Sequence, residues 1–186
     1  MSSESSRDGP LTTAPIRPAR SDELEVLRAL ERDAGRAFAA IGMEEIARDD
    51  PGDVDELEGY RAAGRAWVGV DARDRPVAYL LSAVVDGCAH IEQVSVASAC
   101  RGRRLGAALV EHLAGVARAD GRPALTLTTF RDVPWNAPYY RRLGFTVLAP
   151  SDQGSELRAL VADEAVRIPG DAPRVAMRRE LGGDPP

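Results

Sequence analysis

The stretch from His90 to Ala119, HIEQVSVASACRGRRLGAALVEHLAGVARA, constrains the fold more than any other. It reads as a strand, a basic turn and a helix in direct succession. Ile91, Val94 and Val96 are β-branched and mark a strand over His90–Val96. Ala97–Arg104 is a turn holding Arg101, Gly102, Arg103 and Arg104. From Leu105 to Ala119 the apolar residues Leu105, Ala108, Leu109, Leu113, Val116 and Ala117 recur at steps of three and four, the period of a helix with one buried face. A helix that starts straight after such a turn points unpaired backbone N–H groups and the positive end of its dipole at whatever lies there, and the arginines add full charges. That combination suits a phosphorylated ligand. A P-loop would need Gly-Lys-Ser/Thr, and this chain has no lysine. A dinucleotide fingerprint would need G-x-G-x-x-G, and here Gly102 and Gly106 are the only glycines of the turn.

The rest of the chain organises around this unit. Pro15–Arg20 reads as a first, edge strand because of its prolines. Ser21 is placed to cap a helix running towards Phe38, Gly42 breaks the pattern, and Met43–Tyr60 reads as a second helical region interrupted at Asp49–Gly52. Arg65–Asp71 and Pro76–Val85 form a hairpin that leads by Asp86-Gly87 into the central strand, so three antiparallel strands precede the turn. Asp120-Gly121 ends the long helix. Ala124–Phe130 is a strand which, joined by a helix to the one before, lies parallel to it. A short helix, a strand at Phe145–Leu148, a helix over Ser155–Val166 capped by Ser155, and a last strand over Arg174–Leu181 complete the α/β domain. Its sheet is mixed and mostly antiparallel, with helices on both faces. Residues 1–14 and 182–186 read as loose tails around one domain of residues 15–181.

The turn Arg101-Gly102-Arg103-Arg104-Leu105-Gly106, followed by Leu109-Val110, resembles the acetyl-CoA site of the GNAT superfamily of N-acetyltransferases, whose turn reads Arg/Gln-x-x-Gly-x-Gly/Ala. Arg104 stands where that family prefers glycine. A second block, NAPYYRRLGF over Asn136–Phe145, is similar to the family's short helix ending in Tyr-x-x-x-Gly-Phe, matched by Tyr140, Gly144 and Phe145. The family's asparagine seven residues before that tyrosine falls on Val133, so Asn136, four before it, is the weaker match. The resemblance covers roughly residues 15–181. It implies that the two parallel strands splay and that the pantetheine arm pairs with freed backbone at Val94, Ser95 and Val96. It also implies that Arg101, Gly102, Arg103, Arg104, Leu105, Gly106 and Ala107 hold the pyrophosphate, with Asn136 and Tyr140 completing the cofactor site.

The implied activity is transfer of an acetyl group from acetyl-CoA to a primary amine, of a small molecule before a peptide, by direct attack in a ternary complex. A lysine-like amine has a pKa of about 10.4, so its neutral form costs about 4 kcal/mol near neutral pH, and a general base offsets part of that. Glu92 on the central strand is the first choice for that base, then His90, then Asp132; strand alternation puts Glu92 on the face of His90 and Val94. His112, mid-helix, is a surface or packing residue. Tyr140 is the candidate acid for the departing thiolate. No covalent route is visible, since no serine sits in a nucleophile elbow. Trp135 and Tyr139 could wall a substrate pocket. Eight carboxylates against the single Arg48 between Glu44 and Glu58 would form either a solvated acidic face or a rim that draws cationic amines. The rival class is a CoA-binding sensor without catalysis, distinguished by whether a carboxylate or histidine reaches the acetyl carbon.

Net charge of −5 argues against nucleic acid as partner. No apolar run approaches the ~20 residues of a membrane span, and the first fourteen residues lack the apolar stretch of a signal peptide. Cys88 and Cys100 have no ligand companions at metal spacing; free thiols, a cytoplasmic setting and no metal are expected. The residues leave the oligomeric state open, a homodimer included.

Overall fold

The computed structural model describes residues 15–167 and 172–182; the expected tails at 1–14 and 183–186 lie outside the described residues. The alternating segments become β1 (Ile16–Pro18), β2 (Ala66–Val70), β3 (Pro76–Val85) and β4 (Cys88–Val96), each antiparallel to the next. β5 (Ala124–Phe130) lies parallel to β4. β6 (Thr146–Val147) pairs with β7 (Arg174–Glu180), which pairs with β5, giving a seven-stranded sheet ordered β1-β2-β3-β4-β5-β7-β6. The helices are α1 (Leu24–Gly35), α2 (Glu44–Ala47), α3 (Val54–Ala62), α4 (Leu105–Ala119), α5 (Ala137–Arg142) and α6 (Ser155–Arg167). The mixed sheet, the parallel pair and helices on both faces agree with the expected architecture.

The apolar stripe of α4 does what its period implies. Leu105, Leu109, Val110, Leu113, Ala114 and Ala117 are buried against Ala89, Ile91, Leu125, Leu127 and Met177 on one face of the sheet. Each fully buried leucine there contributes about 1.5–3 kcal/mol. The other face is covered in two halves. Leu27 and Leu30 of α1 and Leu57 of α3 pack on Val68, Tyr79 and Leu81, while Leu157 of α6 packs on Val85 and Ala176. His112 is a packing residue, its ring edge-on to Trp67 at 5.8 Å.

Three local expectations are revised. Entry into α1 is fixed by Glu23 rather than Ser21: its carboxylate accepts the Arg20 N–H at 2.8 Å and two guanidinium N–H bonds from Arg17. α1 stops at Gly35 and tightens into a 3-10 stretch over Arg36–Ile41. Most informative is α6, where Ser155 is the first helical residue and the cap comes from elsewhere in the chain. Asp86, in the β3–β4 turn, accepts the N–H groups of Glu156 at 3.1 Å and Leu157 at 2.9 Å, and its own N–H is taken by the Glu156 carboxylate at 2.5 Å. This is a capping box closed across 70 residues of sequence. It requires Gly154, because a β-carbon there would lie 2.2 Å from the Asp86 carboxyl carbon. Asp86→Ala is expected to destabilise the fold by about 1–2 kcal/mol, and Gly154→Ala by at least as much, read as a fall in the denaturant midpoint at unchanged m-value.

Candidate active site

The site is built on an irregularity in β4. Its register with β3 runs Ser82 to Ile91 and then Leu81 to Gln93, so Glu92 is an extra residue, a β-bulge. The bulge reverses the faces. Ala89 and Ile91 point at α4 before it, and Val94 and Val96 do so after it. Glu92 therefore shares a face with His90 but not with Val94, against the simple alternation. Pairing of β4 to β5 stops at the same place, at Ile91 with Leu127, although both strands continue. The wedge between them opens from Glu92 onward and leaves that edge of β4 without a strand partner. This is the splay that the resemblance implies.

On the α4 side the wedge leads into a cleft of about 720 Å³. Val94, Val96, Arg101, Gly102, Arg104, Leu105, Gly106, Ala107 and Tyr140 all line it. The start of α4 forms its floor: the first helical N–H bond runs from Ala108 to the Arg104 carbonyl, leaving the N–H groups of Leu105, Gly106 and Ala107 for a ligand. Arg104 itself is in the left-handed conformation, φ 58°, which explains why glycine is the family's choice there. Gly106 allows close approach; a β-carbon on it would lie 3.1 Å from the Tyr139 hydroxyl and 3.8 Å from Val94 and Val96.

Three expected cofactor residues do not line the cleft with their side chains, although the Ser95 backbone stays on the open edge of β4. Ser95 turns its side chain to the opposite face, where it is buried and accepts a hydrogen bond from Gln93 at 3.0 Å. Arg103 is exposed on the turn and Asn136 sits at the start of α5, neither of them lining the cleft. Asn136 donates to Thr129 Oγ1 at 2.7 Å, and its Oδ1 is buried with no partner among the described residues. Such an orphan acceptor calls for a donor. Conversely, Ala34, Ala37, Cys100, Arg142 and Leu143 line the cleft without having been expected to, and Tyr139 and Trp135, expected at a substrate pocket, line this cofactor cleft as well. Arg142 was findable as a cation two residues past Tyr140. The alanines, in a segment remote in sequence, carry no chemical signal.

The titratable groups divide by face. Glu92 is half-buried on the side of α3 and α6; burial, then the charges of Glu164 and Glu56, push its carboxyl above the ordinary range. Burial likewise holds Tyr60 up at about 12, with Glu92 and Glu56 adding to it. His90, 1 % exposed, is bonded through Nδ1 to Thr126 Oγ1 at 2.9 Å, and burial lowers its pKa to about 4, so it is neutral and structural at pH 7. Asp132 lies on the exposed β5–α5 loop. Tyr140 packs edge-on between Tyr139 at 5.5 Å and Phe145 at 5.6 Å, and burial pushes its phenol well above the usual range. It stays protonated and keeps a hydroxyl hydrogen to donate. Of the acidic rim, Asp50 pairs with Arg32, Glu58 with Arg61, and Asp53 caps α3, so part of it is spent on structure. Among the described residues no three His, Cys, Asp or Glu side chains cluster as for a metal, and no helix is long and apolar enough to cross a membrane.

Comparison with known proteins gives the same picture. An acetyltransferase of the GNAT family from Staphylococcus aureus Mu50 superposes with a TM-score of 0.68 at 13% identity, over 90% of this chain and 99% of that one. The ribosomal-protein-S18-alanine N-acetyltransferase of Escherichia coli gives 0.63 at 16%, over 91% and 96%. N-acetylglutamate synthase from Neisseria gonorrhoeae, solved with coenzyme A and N-acetyl-glutamate, gives 0.69 at 15%, over 91% of this chain but 35% of that longer one. These likenesses establish the fold. The sequence model of the Acetyltransferase (GNAT) family matches residues 26–145, which span both the arginine turn and the Tyr140 block. The chain accordingly belongs to the GNAT family and is an acetyl-CoA-dependent acyltransferase.

Proposed function

We propose that the chain acetylates the primary amine of a small, cationic molecule by direct attack in a ternary complex. The observation that carries this reading is the bulge. It turns Glu92 toward α3 and α6 while Val94, two residues on, faces the cofactor cleft, so a base and the acyl site lie on the two sides of one strand. The residues fit acetyl-CoA: the α4 N-terminus, Arg101 and Arg104 suit its pyrophosphate, and the orphan Oδ1 of Asn136 suits an amide donor. Acetyl-CoA supplies the activated thioester. Backbone N–H groups of β4 beyond the bulge orient and polarise the carbonyl. Glu92, its carboxyl raised by burial, takes one proton of the incoming ammonium; nitrogen bonds to the acyl carbon, the C–S bond breaks, the second N–H proton leaves to solvent as the amide forms, and the sulfur departs as a thiolate that accepts a hydrogen bond from the Tyr140 hydroxyl.

Glu56, Glu92 and Glu164 favour a positively charged acceptor. A peptide acceptor is the second reading. It is favoured by an apolar cavity of about 280 Å³ between Ile41, Met43, Phe130, Val133 and Pro173, able to take a side chain beside the amine. A cytoplasmic setting is part of this reading, and the free thiols Cys88 and Cys100 suit a reducing compartment. The test is calorimetry with acetyl-CoA, for wild type and an Arg101/Arg103/Arg104 triple-alanine variant, followed by turnover on a panel of diamines, neutral amines and short peptides. Binding at about micromolar Kd that the variant loses, with fastest turnover on diamines, is expected. Turnover on peptides alone would overturn the small-molecule assignment.

A further inference from the structure

The charged end of α1 is attached to the cofactor turn at a distance of 65 residues in sequence. The Asp33 carboxylate accepts the Ser98 N–H at 2.7 Å and the Ser98 hydroxyl at 3.1 Å, and the next residue's carbonyl, Ala34 O, accepts from the Arg101 guanidinium at 3.1 Å. Ser98–Cys100 is the tight turn that carries the chain from β4 to Arg101. Ala34 and Ala37 line the same cleft as Arg101, so the end of α1 is a wall of the cofactor site and its small side chains leave room there. Asp33 touches neither the cleft nor a reacting atom, and apart from Arg36 at 3.4 Å its recorded bonds go to Ser98. The first cause holding its carboxyl below the ordinary range is the Ser98 N–H. Within about one turn of α1, then, Glu31 accepts from Tyr79 of β3 while Asp33 and Ala34 hold the cofactor turn.

From this geometry we infer that Asp33 is a positioning residue for acetyl-CoA, locking the Ser98–Arg101 turn to α1 so that cofactor binding and the ordering of the acceptor-side helix are one event. The inference rests on the arginine turn being the acetyl-CoA site. Without Asp33 the turn loses two bonds, one of them from backbone, and Arg101 loses its fixed approach to the phosphate. No bond at the reacting carbon changes.

The test is steady-state kinetics on Asp33→Ala, Asp33→Asn and Ser98→Ala, with hydrogen exchange of residues 33–41 read with and without CoA. Asp33→Ala is expected to raise KM for acetyl-CoA about tenfold with kcat within about twofold. Asp33→Asn should recover most of that, because the amide oxygen still accepts from the Ser98 N–H, and Ser98→Ala should cost less than Asp33→Ala. CoA should slow exchange over residues 33–41 in wild type and not in Asp33→Ala. A fall in Tm with KM unchanged in both Asp33 variants, or CoA protection preserved in Asp33→Ala, overturns the inference. Failure of wild type itself to bind CoA would instead overturn the cofactor reading beneath it.

Discussion

Glu92→Gln is expected to lower kcat/KM by about 10²–10⁴-fold, the range for removal of a general base, and to raise thermal stability. Both follow from one fact, that burial and the charges of Glu164 and Glu56 raise the Glu92 carboxyl pKa in the folded chain. A base works ionised, so wild-type kcat/KM should climb with pH through that raised value. Glu56→Gln, on an exposed side chain, should move the acidic limb to lower pH by removing one of the raising charges. Stability has the opposite sign. A carboxyl raised by folding favours the folded state fully below its unfolded pKa of about 4.3 and loses that contribution as pH rises through the folded value. Glutamine, never ionised, keeps it, so Tm at pH 7.5 should exceed wild type while the two converge near pH 4. Full turnover by Glu92→Gln would remove Glu92 from the chemistry. His90 could not replace it, being buried, a weak base with its pKa lowered to about 4, and committed to Thr126.

The parts of this arrangement that were legible in the sequence are those set by local periodicity and turn chemistry. Leu105 to Ala119 had to be a helix because its apolar residues repeat at three and four, and the parallel pair followed from a strand, a crossover helix and a strand, while the wedge between them was implied by the family resemblance. What could not be read depends on register and on contacts between distant segments. Strand alternation predicts one face for His90, Glu92 and Val94. The structure inserts Glu92 as a bulge and puts Val94 on the other face, a choice made by pairing with β3 that period-two reasoning cannot see. Ser95 is expected in the cofactor site through its backbone, and the register that sends its side chain to Gln93 on the opposite face could not be read from the sequence. Ser155 reads as a cap because the rule is local, whereas the cap is Asp86, which also occupies the side-chain space at Gly154. Asp33 carries no motif at all.

Arg104→Gly should separate conformation from charge in the cofactor turn. Arg104 has φ 58° and ψ 19°, while the other non-glycine residues with positive φ among the described ones are Asp74 and Asp86, a type that tolerates this region. For arginine the left-handed conformation costs about 1–2 kcal/mol, and that strain sits where a phosphate-binding turn meets a helix start, a place where strain is retained for function. Glycine would relieve it and supply the family's preferred residue, so Arg104→Gly should hold or raise Tm. Alanine keeps the strain, so Arg104→Ala should leave Tm near wild type. Both variants remove the same cation from the cleft, and both should weaken CoA by about 10–100-fold, the worth of one charge-assisted bond to phosphate, with a shallower dependence of affinity on salt. Equal losses of affinity with unequal Tm would mean that this chain accepts a strained backbone to place a charge. If Arg104→Gly instead binds CoA as tightly as wild type while Arg104→Ala does not, the backbone N–H groups of the turn carry the phosphate and the arginine contributes nothing to it.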